Sequence, residues 1–335
     1  MNLNQDFWSD IKNIMDIKEK KNYTPDEVKV WAEKTLKSRL NCAVNKIKYV
    51  GGGYFGYVYY AEISKAPYRV VIKACLADEM CKNEARDLQL LREGCPVAVP
   101  EVYFTSEANE PVDFICMQYM KGSTYAGSRL FLALKSKAAR DEYADKITDA
   151  LLFWHNQTNE FYGLTGNAVY TDWFDYYRPL ASDILNSSIN RNDLISNDVS
   201  LLMQQAFDCF DIIFSESVAK PSLVHGDLNV WNILCDKNLK VTAIIDPLES
   251  KWADREYDLF QLRNQTGDKL RLYDTYKKKY KVSKNCDIKC AFYGLFNEAY
   301  CCLKADVPLN SNNIYFKWLK TELDKKSQSE NILLA

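Results

Sequence analysis

The most constraining feature of this chain is a short polar loop between two apolar runs. Asp227 is followed five positions later by Asn232, and the apolar run of residues 241–245 ends at Asp246. Two carboxylates and one amide are therefore expected close together. Phosphoryl transfer from ATP to a hydroxyl group uses these groups, because one carboxylate orients the attacking hydroxyl and two oxygen ligands hold Mg2+. Asp and Asn near strand ends also form turns and helix caps, so the loop alone leaves both interpretations open.

A glycine-rich segment upstream supplies an independent signal. Gly51, Gly53 and Gly56 have the spacing of a phosphate-covering loop, and Val58 lies two residues after the last glycine. The same spacing occurs in the dinucleotide-binding fingerprint, where the glycines open a helix. The residues that follow Gly56 are instead β-branched and aromatic up to a turn at residues 64–67, which is typical of a strand. The segment therefore predicts a hairpin whose glycine turn covers nucleotide phosphates.

A lysine and a glutamate complete this half of the predicted site. Lys73 ends the apolar run of residues 70–72, and an apolar strand carries a charge at a cost unless that charge faces a site or a partner. Residues 77–92 have helical spacing, and Glu84 falls within their apolar stripe. We interpret Lys73 as the ligand of the α- and β-phosphates and Glu84 as its partner. In the alternative interpretation, Glu84 lies at the edge of the stripe and Lys73 only extends toward solvent.

The run from Asp113 to Gly122 leads from a strand into a glycine and suits a hinge between two lobes. Main-chain groups near Gln118 and Met120 are then expected to bind the adenine edge. An ordinary core strand fits the same pattern.

Composition limits the partners of the chain. Hydrophobic residues make up 47% and charged residues 26% of its 335 residues, which is typical of a globular protein with a sizeable core. The net charge of −2 gives no electrostatic reason to expect nucleic acid binding. The N-terminal residues lack the basic start and apolar core of a signal peptide, and no uncharged apolar run approaches membrane-spanning length. We therefore predict a cytoplasmic protein with a small-molecule acceptor and no nucleic acid, membrane or protein partner.

The eleven cysteines are an odd number and lie mostly within apolar runs, such as those that hold Cys75, Cys116, Cys209 and Cys235. This distribution favours free, buried thiols over disulfides. The cysteines clustered after residue 285 lack paired C-x-x-C spacing, which argues against a zinc site there.

The order of predicted elements indicates the fold. Thr24, Pro25 and Glu27 have the pattern of a capped helix start. Strand patterns dominate before residue 121, and the strong strand signals after it flank the catalytic loop. Helical patterns follow at residues 136–156, 197–217, 255–265, 268–280, 287–304 and 313–325. We therefore predict an α+β, two-lobed fold, with a nucleotide-binding lobe at residues 1–121 and a helical lobe with the catalytic loop and acceptor site at residues 122–335.

With glycine loop, strand lysine, helix glutamate, catalytic loop and metal aspartate in this order, the chain resembles the kinase-like small-molecule phosphotransferases. This group includes the aminoglycoside phosphotransferases, the choline kinases and, closest in pattern, the fructosamine (ketosamine) kinases. The segments similar to the last family are Ile245-Asp246-Pro247, Trp252 to Leu259, Phe161-Tyr162-Gly163 and Asp172-Trp173-Phe174. The resemblance covers about residues 40–305, and it implies a protein-kinase-like fold with a strand-rich N-lobe and a helical C-lobe.

Several residues depart from the related patterns. Protein kinases carry Arg where this chain has Gly226 and Phe-Gly where it has Pro247-Leu248. Asp258 also follows Asp246 too closely for a long activation segment, so a small molecule is favoured over a peptide as the substrate. Fructosamine kinases have Gly where this chain has Trp231, and their Pro-Gln-x-Asn segment is lacking between residues 163 and 172. Those two departures bear on the substrate more than on the chemistry.

The resemblance also implies roles for individual residues. Asp227 would be the catalytic base, and Asn232 and Asp246 would bind Mg2+. His225 would hydrogen-bond to the loop backbone, and Asp258 would brace the catalytic loop.

Three further predictions concern the C-lobe. Asp254 is either another brace or a residue that faces a cationic substrate. The aromatic residues between Tyr162 and Tyr177 either line the acceptor pocket or pack between helices. His155 lies on an apolar helix and is interpreted as a core histidine.

The activity that the resemblance implies is an ATP- and Mg2+-dependent transfer of the γ-phosphoryl group to a hydroxyl group of a small molecule, with a fructosamine as the leading acceptor. Aminoglycosides and other amino alcohols or sugars are alternative acceptors. A non-catalytic pseudokinase that acts as a binding module is the alternative of a different class, and the presence of Lys73, Glu84, Asp227, Asn232 and Asp246 argues against it. A protein kinase is a third, weaker option.

Overall fold

The computed structural model of the protein describes residues 21–53, 55–77, 80–106, 110–124, 136–264 and 267–330. Helices and antiparallel sheets combine in them, which confirms the predicted α+β class. The chain divides into two compact units. The first unit holds the described residues of Lys18–Trp154 and His225–Ser250, and the second holds those of His155–Val224 and Lys251–Ala335. The predicted lobe boundary after residue 121 stays a prediction.

The elements are numbered in chain order. The strands are β1 (Val44–Gly53), β2 (Gly56–Ile63), β3 (Arg69–Cys75), β4 (Val102–Thr105), β5 (Asp113–Gln118), β6 (Ser123–Thr124), β7 (Tyr162–Leu164), β8 (Asn167–Tyr170), β9 (Ser222–Val224), β10 (Ile233–Cys235), β11 (Val241–Ile244) and β12 (Lys251–Ala253). The α-helices are α1 (Pro25–Leu40), α2 (Met80–Arg92), α3 (Lys137–His155), α4 (Trp173–Asn190), α5 (Asn197–Asp208), α6 (Phe210–Ile213), α7 (Leu272–Lys279), α8 (Cys286–Ala305) and α9 (Ile314–Glu330).

A five-stranded antiparallel sheet forms the centre of the first unit. Its strands lie in the order β1-β2-β3-β5-β4. β1 and β2 pair along their length up to Gly53 and Gly56. The glycine segment therefore turns between two strands, and the predicted hairpin is confirmed.

One face of this sheet and helix α1 enclose a hydrophobic core. On β2 and β3 the side chains that face the core alternate with more exposed ones, as expected for strands covered on one side. Helix α1 begins at the predicted capping box of Thr24 and Glu27. It contributes Val28, Ala32 and Leu36, which recur every four residues and are fully buried. The helix thus covers the sheet with a single apolar stripe.

Cys75 and Cys81 form a disulfide between the end of β3 and the first turn of α2. The prediction of free thiols is wrong for these two residues. Both side chains are buried in apolar surroundings, which is why their sequence context is typical of core thiols. The short connection from strand to helix brings their Sγ atoms together. Cys116, Cys209 and Cys235 are free thiols, as predicted.

A small sheet in the first unit carries the predicted catalytic segment. Its strands lie in the order β11-β10-β6. A 3₁₀ turn at Val230–Asn232 leads into β10, and Asp246 lies two residues after the end of β11. In the sequence, β9 precedes the predicted catalytic loop and β10 and β11 follow it, so the strands predicted on both sides of this loop are confirmed.

After residue 136 the chain is mainly helical, as predicted. Helices α3, α8 and α9 lie close to their predicted positions. The helix predicted at residues 197–217 is divided into α5 and α6, and residues Arg255–Arg263 form a 3₁₀ helix. Among the described residues, no helix combines the length and the apolar character needed to cross a membrane.

Two elements of the second unit were not predicted: helix α4 and the sheet of order β8-β7-β12-β9. Helix α4 buries Trp173, Tyr176 and Tyr177. The ring of Trp173 stacks on that of Tyr177 with 5.4 Å between their centroids. Core packing is thus the favoured interpretation of the aromatic side chains at the start of this helix.

Candidate active site

The glycine turn contains a position that has no room for a side chain. A Cβ atom on Gly56 would lie 2.2 Å from the carbonyl oxygen of Ala74, so only glycine allows this close approach of β2 to β3. Val58 lies opposite Gly51 in one strand pairing and opposite Lys73 in the other. The hairpin thus aligns the predicted phosphate-covering segment with the strand that carries the predicted phosphate ligand.

Lys73 lies between two carboxylates. Its Nζ atom is 2.8 Å from Oε2 of Glu84 and 2.5 Å from Oδ1 of Asp246. The predicted pair of Lys73 and Glu84 is confirmed, and the alternative in which Lys73 only extends toward solvent is excluded. Burial acts to lower the pKa of Lys73, but the carboxylates of Asp246 and Glu84 outweigh it and hold that pKa above its usual value. The ammonium group therefore stays charged, as phosphate binding requires.

Glu84 is expected to make nucleotide binding depend on pH. Burial raises the pKa of Glu84 to about 7, although the charge of Lys73 acts in the opposite direction. As the pH falls through this value, Glu84 is protonated and the ion pair that holds Lys73 is lost. We expect the KM for ATP to rise several-fold as the pH falls below 7, and initial rates at varied ATP concentration and pH measure this. In Glu84→Gln the KM should be high throughout and independent of pH. The prediction is contradicted if the KM of the wild type does not change with pH, or if the KM of Glu84→Gln changes with pH as much as that of the wild type.

The catalytic loop is organised around the carboxylate of Asp227. The Nδ2 atom of Asn229 donates to Oδ1 of Asp227 at 2.8 Å, and Nδ2 of Asn232 donates to Oδ2 at 2.9 Å. Asn232 Nδ2 also lies 2.8 Å from the main-chain oxygen of Asp227. The main-chain N–H of Trp231 donates to Oδ1 of Asn229 at 2.9 Å. These bonds fix the orientation of the carboxylate, which is the condition for aligning an attacking hydroxyl.

Asn232 and Asp246 present oxygen atoms on adjacent segments. The main-chain N–H of Ile245 donates to the main-chain oxygen of Asn232 at 2.9 Å, which ties the two segments together. Asn232 uses its amide nitrogen for the bonds to Asp227, so its amide oxygen is the atom that can bind a metal ion. The side chain of Asp246 is 49% exposed. Carboxylate and amide oxygens are the ligands that Mg2+ prefers, so this donor set fits the predicted metal.

His225 and Gly226 shape the backbone of the loop. His225 is buried, and its Nδ1 atom accepts the main-chain N–H of Asp227 at 3.3 Å. This confirms the prediction that His225 hydrogen-bonds to the loop backbone. Gly226 has a φ of 85°, and a Cβ atom there would lie 2.1 Å from the carbonyl oxygen of Leu248. The loop therefore requires glycine at this position, where protein kinases carry Arg.

Gln118 and Met120 lie where β5 ends. The main-chain N–H of Gln118 donates to the main-chain oxygen of Glu101 at 2.7 Å, and Gln118 lies opposite Val70 of β3. The strand assignment ends at Gln118, so Met120 lies beyond it. The role of these residues in binding adenine stays a prediction.

Asp254 lies in the second unit and is buried. It caps the 3₁₀ helix that follows, because its Oδ1 atom accepts the main-chain N–H of Glu256 at 3.0 Å. Its Oδ2 atom is 2.7 Å from Nζ of Lys289 and accepts the hydroxyl of Tyr293 at 2.9 Å. These contacts hold the 3₁₀ helix and Lys289, and both alternatives for Asp254, a brace of the catalytic loop or a contact to a cationic substrate, stay predictions.

His155 and Asp258 form a buried pair in the second unit. The Nδ1 atom of His155 is 2.7 Å from the hydroxyl of Tyr276, and Nε2 is 3.4 Å from Oδ2 of Asp258. Burial lowers the pKa of His155, so its ring stays neutral at physiological pH. His155 is a core histidine with both nitrogens in hydrogen-bond contacts, as predicted. The role of Asp258 as a brace of the catalytic loop stays a prediction.

Three residues that contact the site were not predicted. Asn229 holds Asp227, and an Asp-x-Asn turn signal was present to find it. Asp87 accepts the main-chain N–H of Ser250 through Oδ2 at 3.1 Å, and the hydroxyl of Ser250 donates to the main-chain oxygen of His225 at 3.0 Å. Asp87 follows Glu84 by three residues on a helix, which is a usable signal. Ser250 has no comparable pattern around it.

Trp231 lies between Asp227 and Asn232 in the sequence of the loop. Its side chain is 45% exposed, whereas the neighbouring Val230 and Asn232 are buried. The indole therefore projects away from the packed side of the loop. This is also the position at which the chain departs from the fructosamine-kinase pattern.

Comparisons with known proteins bear on this site. A family model described as fructosamine kinase matches residues 26–302 of the chain. Among curated proteins, the uncharacterized protein YcbJ of Escherichia coli strain K12 is 26% identical over 184 residues. That match covers 53% of this chain and 59% of YcbJ, so the chain spans less than two thirds of the length of that relative.

Similar solved structures include phosphotransferases. A thermostable mutant of aminoglycoside phosphotransferase APH(4)-Ia, in a ternary complex with ADP and hygromycin B, has a TM-score of 0.64 at 16% identity and covers 89% of this chain and 98% of that chain. A candidate fructosamine-3-kinase from Haemophilus somnus 129PT has a TM-score of 0.63 at 16% identity, with 89% and 99% covered. At these identities the likeness shows the fold alone, and it confirms the predicted protein-kinase-like fold.

Proposed function

Because the chain belongs to the fructosamine kinase family, we propose that it transfers the γ-phosphoryl group of ATP to a hydroxyl group of a small molecule, with Mg2+ as the metal. One observation carries the proposal: the contact of 2.5 Å between Lys73 and Asp246 joins the glycine-hairpin sheet to the Asp246 segment. That segment is bonded through the N–H of Ile245 to the loop that holds Asp227 and Asn232. ATP as the donor favours a cytoplasmic location. A small-molecule acceptor requires no protein, nucleic acid or membrane partner.

Each group has its own task in this mechanism. Asp227 accepts the hydrogen bond of the acceptor hydroxyl, orients its oxygen toward the γ-phosphorus and takes up its proton. As the new P–O bond forms, the bond between the γ-phosphorus and the β,γ-bridging oxygen breaks, and ADP leaves with that oxygen. Lys73 binds oxygens of the α- and β-phosphates, and Glu84 holds it in place. Asn232 and Asp246 would hold Mg2+ through their side-chain oxygens, and the ion would supply positive charge against the phosphate oxygens. Positioning and charge neutralisation supply most of the rate in such an in-line transfer.

The acceptor that we propose is a ketosamine, an adduct of a sugar and an amine. The family match supports this class. The exposed indole of Trp231, which stands where that family has Gly, could attract a cationic amine such as that of the adduct through the face of its ring, and it would attract the amines of other acceptors equally. A hydroxyl group of its sugar part would then lie toward Asp227.

An aminoglycoside is the second candidate acceptor. Its support is the likeness in fold to the enzyme whose structure contains ADP and hygromycin B. Aminoglycosides also combine several hydroxyl groups with cationic amines. Both acceptor classes therefore offer hydroxyl groups and cationic amines to the site, and a measurement of turnover with each class has to distinguish them.

A non-catalytic binding module is the alternative of a different class. A pseudokinase on this fold would bind nucleotide but would show no Mg2+-dependent turnover of ATP with any acceptor. The contacts that join Lys73 to Glu84 and Asp246, and Asn232 to Asp227, support catalysis instead.

The test is ADP release from Mg2+ATP across a panel of fructosamine amino acids, ribulosamines, aminoglycosides, choline and free sugars. We expect turnover on the ketosamines. Turnover on aminoglycosides alone would replace the first acceptor by the second. If every acceptor leaves ADP release at its background rate while nucleotide still binds, the kinase proposal is wrong and the pseudokinase replaces it.

A further inference from the structure

Helix α2 carries two buried carboxylates that point to different parts of the site. Glu84 is 8% exposed and pairs with Lys73 at 2.8 Å. Asp87 is 1% exposed, and its Oδ2 atom accepts the main-chain N–H of Ser250 at 3.1 Å. Residues three apart on a helix lie on the same side of it. Helix α2 thus contacts Lys73 of β3 through Glu84, and it contacts the distant segment that ends at Ser250 through Asp87.

Ser250 extends the contact from Asp87 to the catalytic loop. Its side chain is 1% exposed, and its hydroxyl donates to the main-chain oxygen of His225 at 3.0 Å. The Nδ1 atom of His225 in turn accepts the main-chain N–H of Asp227 at 3.3 Å. Three hydrogen bonds therefore lead from the carboxylate of Asp87 to the backbone of the predicted base.

The segment between Asp246 and Ser250 depends on such support. Asp246 has a φ of 59° and Glu249 a φ of 48°, which is the left-handed region that side chains other than glycine seldom occupy. Such conformations persist where the surroundings hold them in place. Asp87 supplies that support by fixing the N–H of Ser250 at the end of the segment.

Burial of Asp87 argues for a role beyond solubility or surface charge. A carboxylate loses its hydration on burial and is retained where it accepts strong hydrogen bonds or pairs with a cation. Asp87 does both, because Oδ2 receives the Ser250 N–H and Oδ1 lies 3.6 Å from Nε of Arg86. The carboxylate therefore has the chemistry of a fixed acceptor for the backbone of the Asp246 segment.

We propose that Asp87 is a positioning residue for phosphoryl transfer: it fixes the Asp246 segment directly and the catalytic loop through Ser250 and His225. This inference rests on the proposed function. The same helix holds Lys73 through Glu84, so the nucleotide ligand, the metal ligand and the base share one support. A shift of α2 then changes all three together.

The kinetic test compares Asp87→Ala with Asp87→Asn, Ser250→Ala and a control on the same helix. Gln89 is exposed on α2, and Gln89→Ala is expected to match the wild type. Asp87→Ala should lower kcat about 10-fold or more. The KM for ATP should change little, because the ion pair of Lys73 and Glu84 is kept. Asp87→Asn should restore most of kcat, since an amide oxygen can still accept the Ser250 N–H. Ser250→Ala should lower kcat less, since Asp87 still holds the Asp246 segment.

Hydrogen exchange gives a readout that does not require turnover. In Asp87→Ala, amide exchange should accelerate at Ser250 and in the catalytic loop of residues 225–232, and it should not accelerate in Gln89→Ala. Unchanged exchange in the loop overturns the proposal, as does a kcat equal to that of the wild type. A lower melting temperature with unchanged kcat would show a structural role only and also overturns it. If the wild type has no activity but the loop loses protection in Asp87→Ala, the proposed reaction fails while the positioning contact is supported.

Discussion

Asp227→Asn is expected to lower kcat by about 10²–10⁴-fold, the usual contribution of a positioned general base. The amide cannot take up the proton of the acceptor hydroxyl. Nucleotide binding should change little, because Lys73 and its carboxylate partners are untouched. ADP release with a ketosamine measures the first effect, and the dissociation constant of Mg2+ATP measures the second.

Controls have to separate chemistry from folding in this variant. Two amide nitrogens, from Asn229 and Asn232, donate to the carboxylate of Asp227. An Asn side chain offers one oxygen to these two donors, so a modest fall in melting temperature is expected. Asp324 is exposed on α9, and Asp324→Asn serves as a matched control that should keep full activity. If Asp227→Asn retains wild-type kcat, Asp227 is not the base.

Asp246→Asn is expected to lower kcat by about 10²–10³-fold, comparable to the loss of one electrostatic group at a reacting centre. The carboxylate is the charged member of the predicted metal-binding pair, since Asn232 contributes a neutral amide oxygen. Titration with MgCl2 should show that the variant needs a higher concentration for half-maximal rate. Removal of divalent metal by a chelator should abolish wild-type turnover.

The result also bears on Lys73, which pairs with Asp246 in the structure. Loss of that carboxylate removes one of the two charges that keep the pKa of Lys73 high, while Glu84 remains. The ammonium group is therefore expected to stay charged, and the KM for ATP to change less than kcat. A variant with normal magnesium dependence would show that Asp246 is not a metal ligand.

The parts of the site that sequence could predict are those with a local pattern. Lys73 at the end of an apolar strand and Glu84 within a helical stripe each violate a periodic apolar pattern, and two such violations in order indicate a pair. The glycine hairpin is predictable for the same reason, because the residues after Gly56 have strand character. The structure confirms both, with a contact of 2.8 Å between Lys73 and Glu84.

Features that depend on distant residues were not predictable. Asp87 and Ser250 are separated by 163 positions, and no local pattern relates a helix carboxylate to a loop N–H. The ion pair of Asp254 is a second example, because no local pattern relates this residue to Lys289, whose Nζ atom lies 2.7 Å away in the structure. The sequence pattern also places Cys75 and Cys81 in apolar surroundings, which describes buried thiols and buried disulfides alike.

Helix α4 could not be predicted because its residues do not favour a helix by themselves. It contains Pro179 and begins with several aromatic residues. Both proline and aromatic residues have lower helix propensity than alanine or leucine. Packing in the core stabilises this segment as a helix, since Trp173 and Tyr177 stack and are buried. Tertiary contacts therefore outweigh the low helix propensity of this segment, and such contacts cannot be read from a single sequence.

The most direct test of the central claim is to follow the γ-phosphoryl group itself. The chain is incubated with γ-labelled ATP, Mg2+ and a fructosamine amino acid, and mass spectrometry measures labelled acceptor beside ADP. The account predicts one labelled, phosphorylated acceptor for each ADP formed, and neither product in excess of background when Mg2+ is removed or Asp227 is replaced by Asn. ADP without phosphorylated acceptor from any of the proposed classes, or equal transfer by the Asp227→Asn variant, would contradict it.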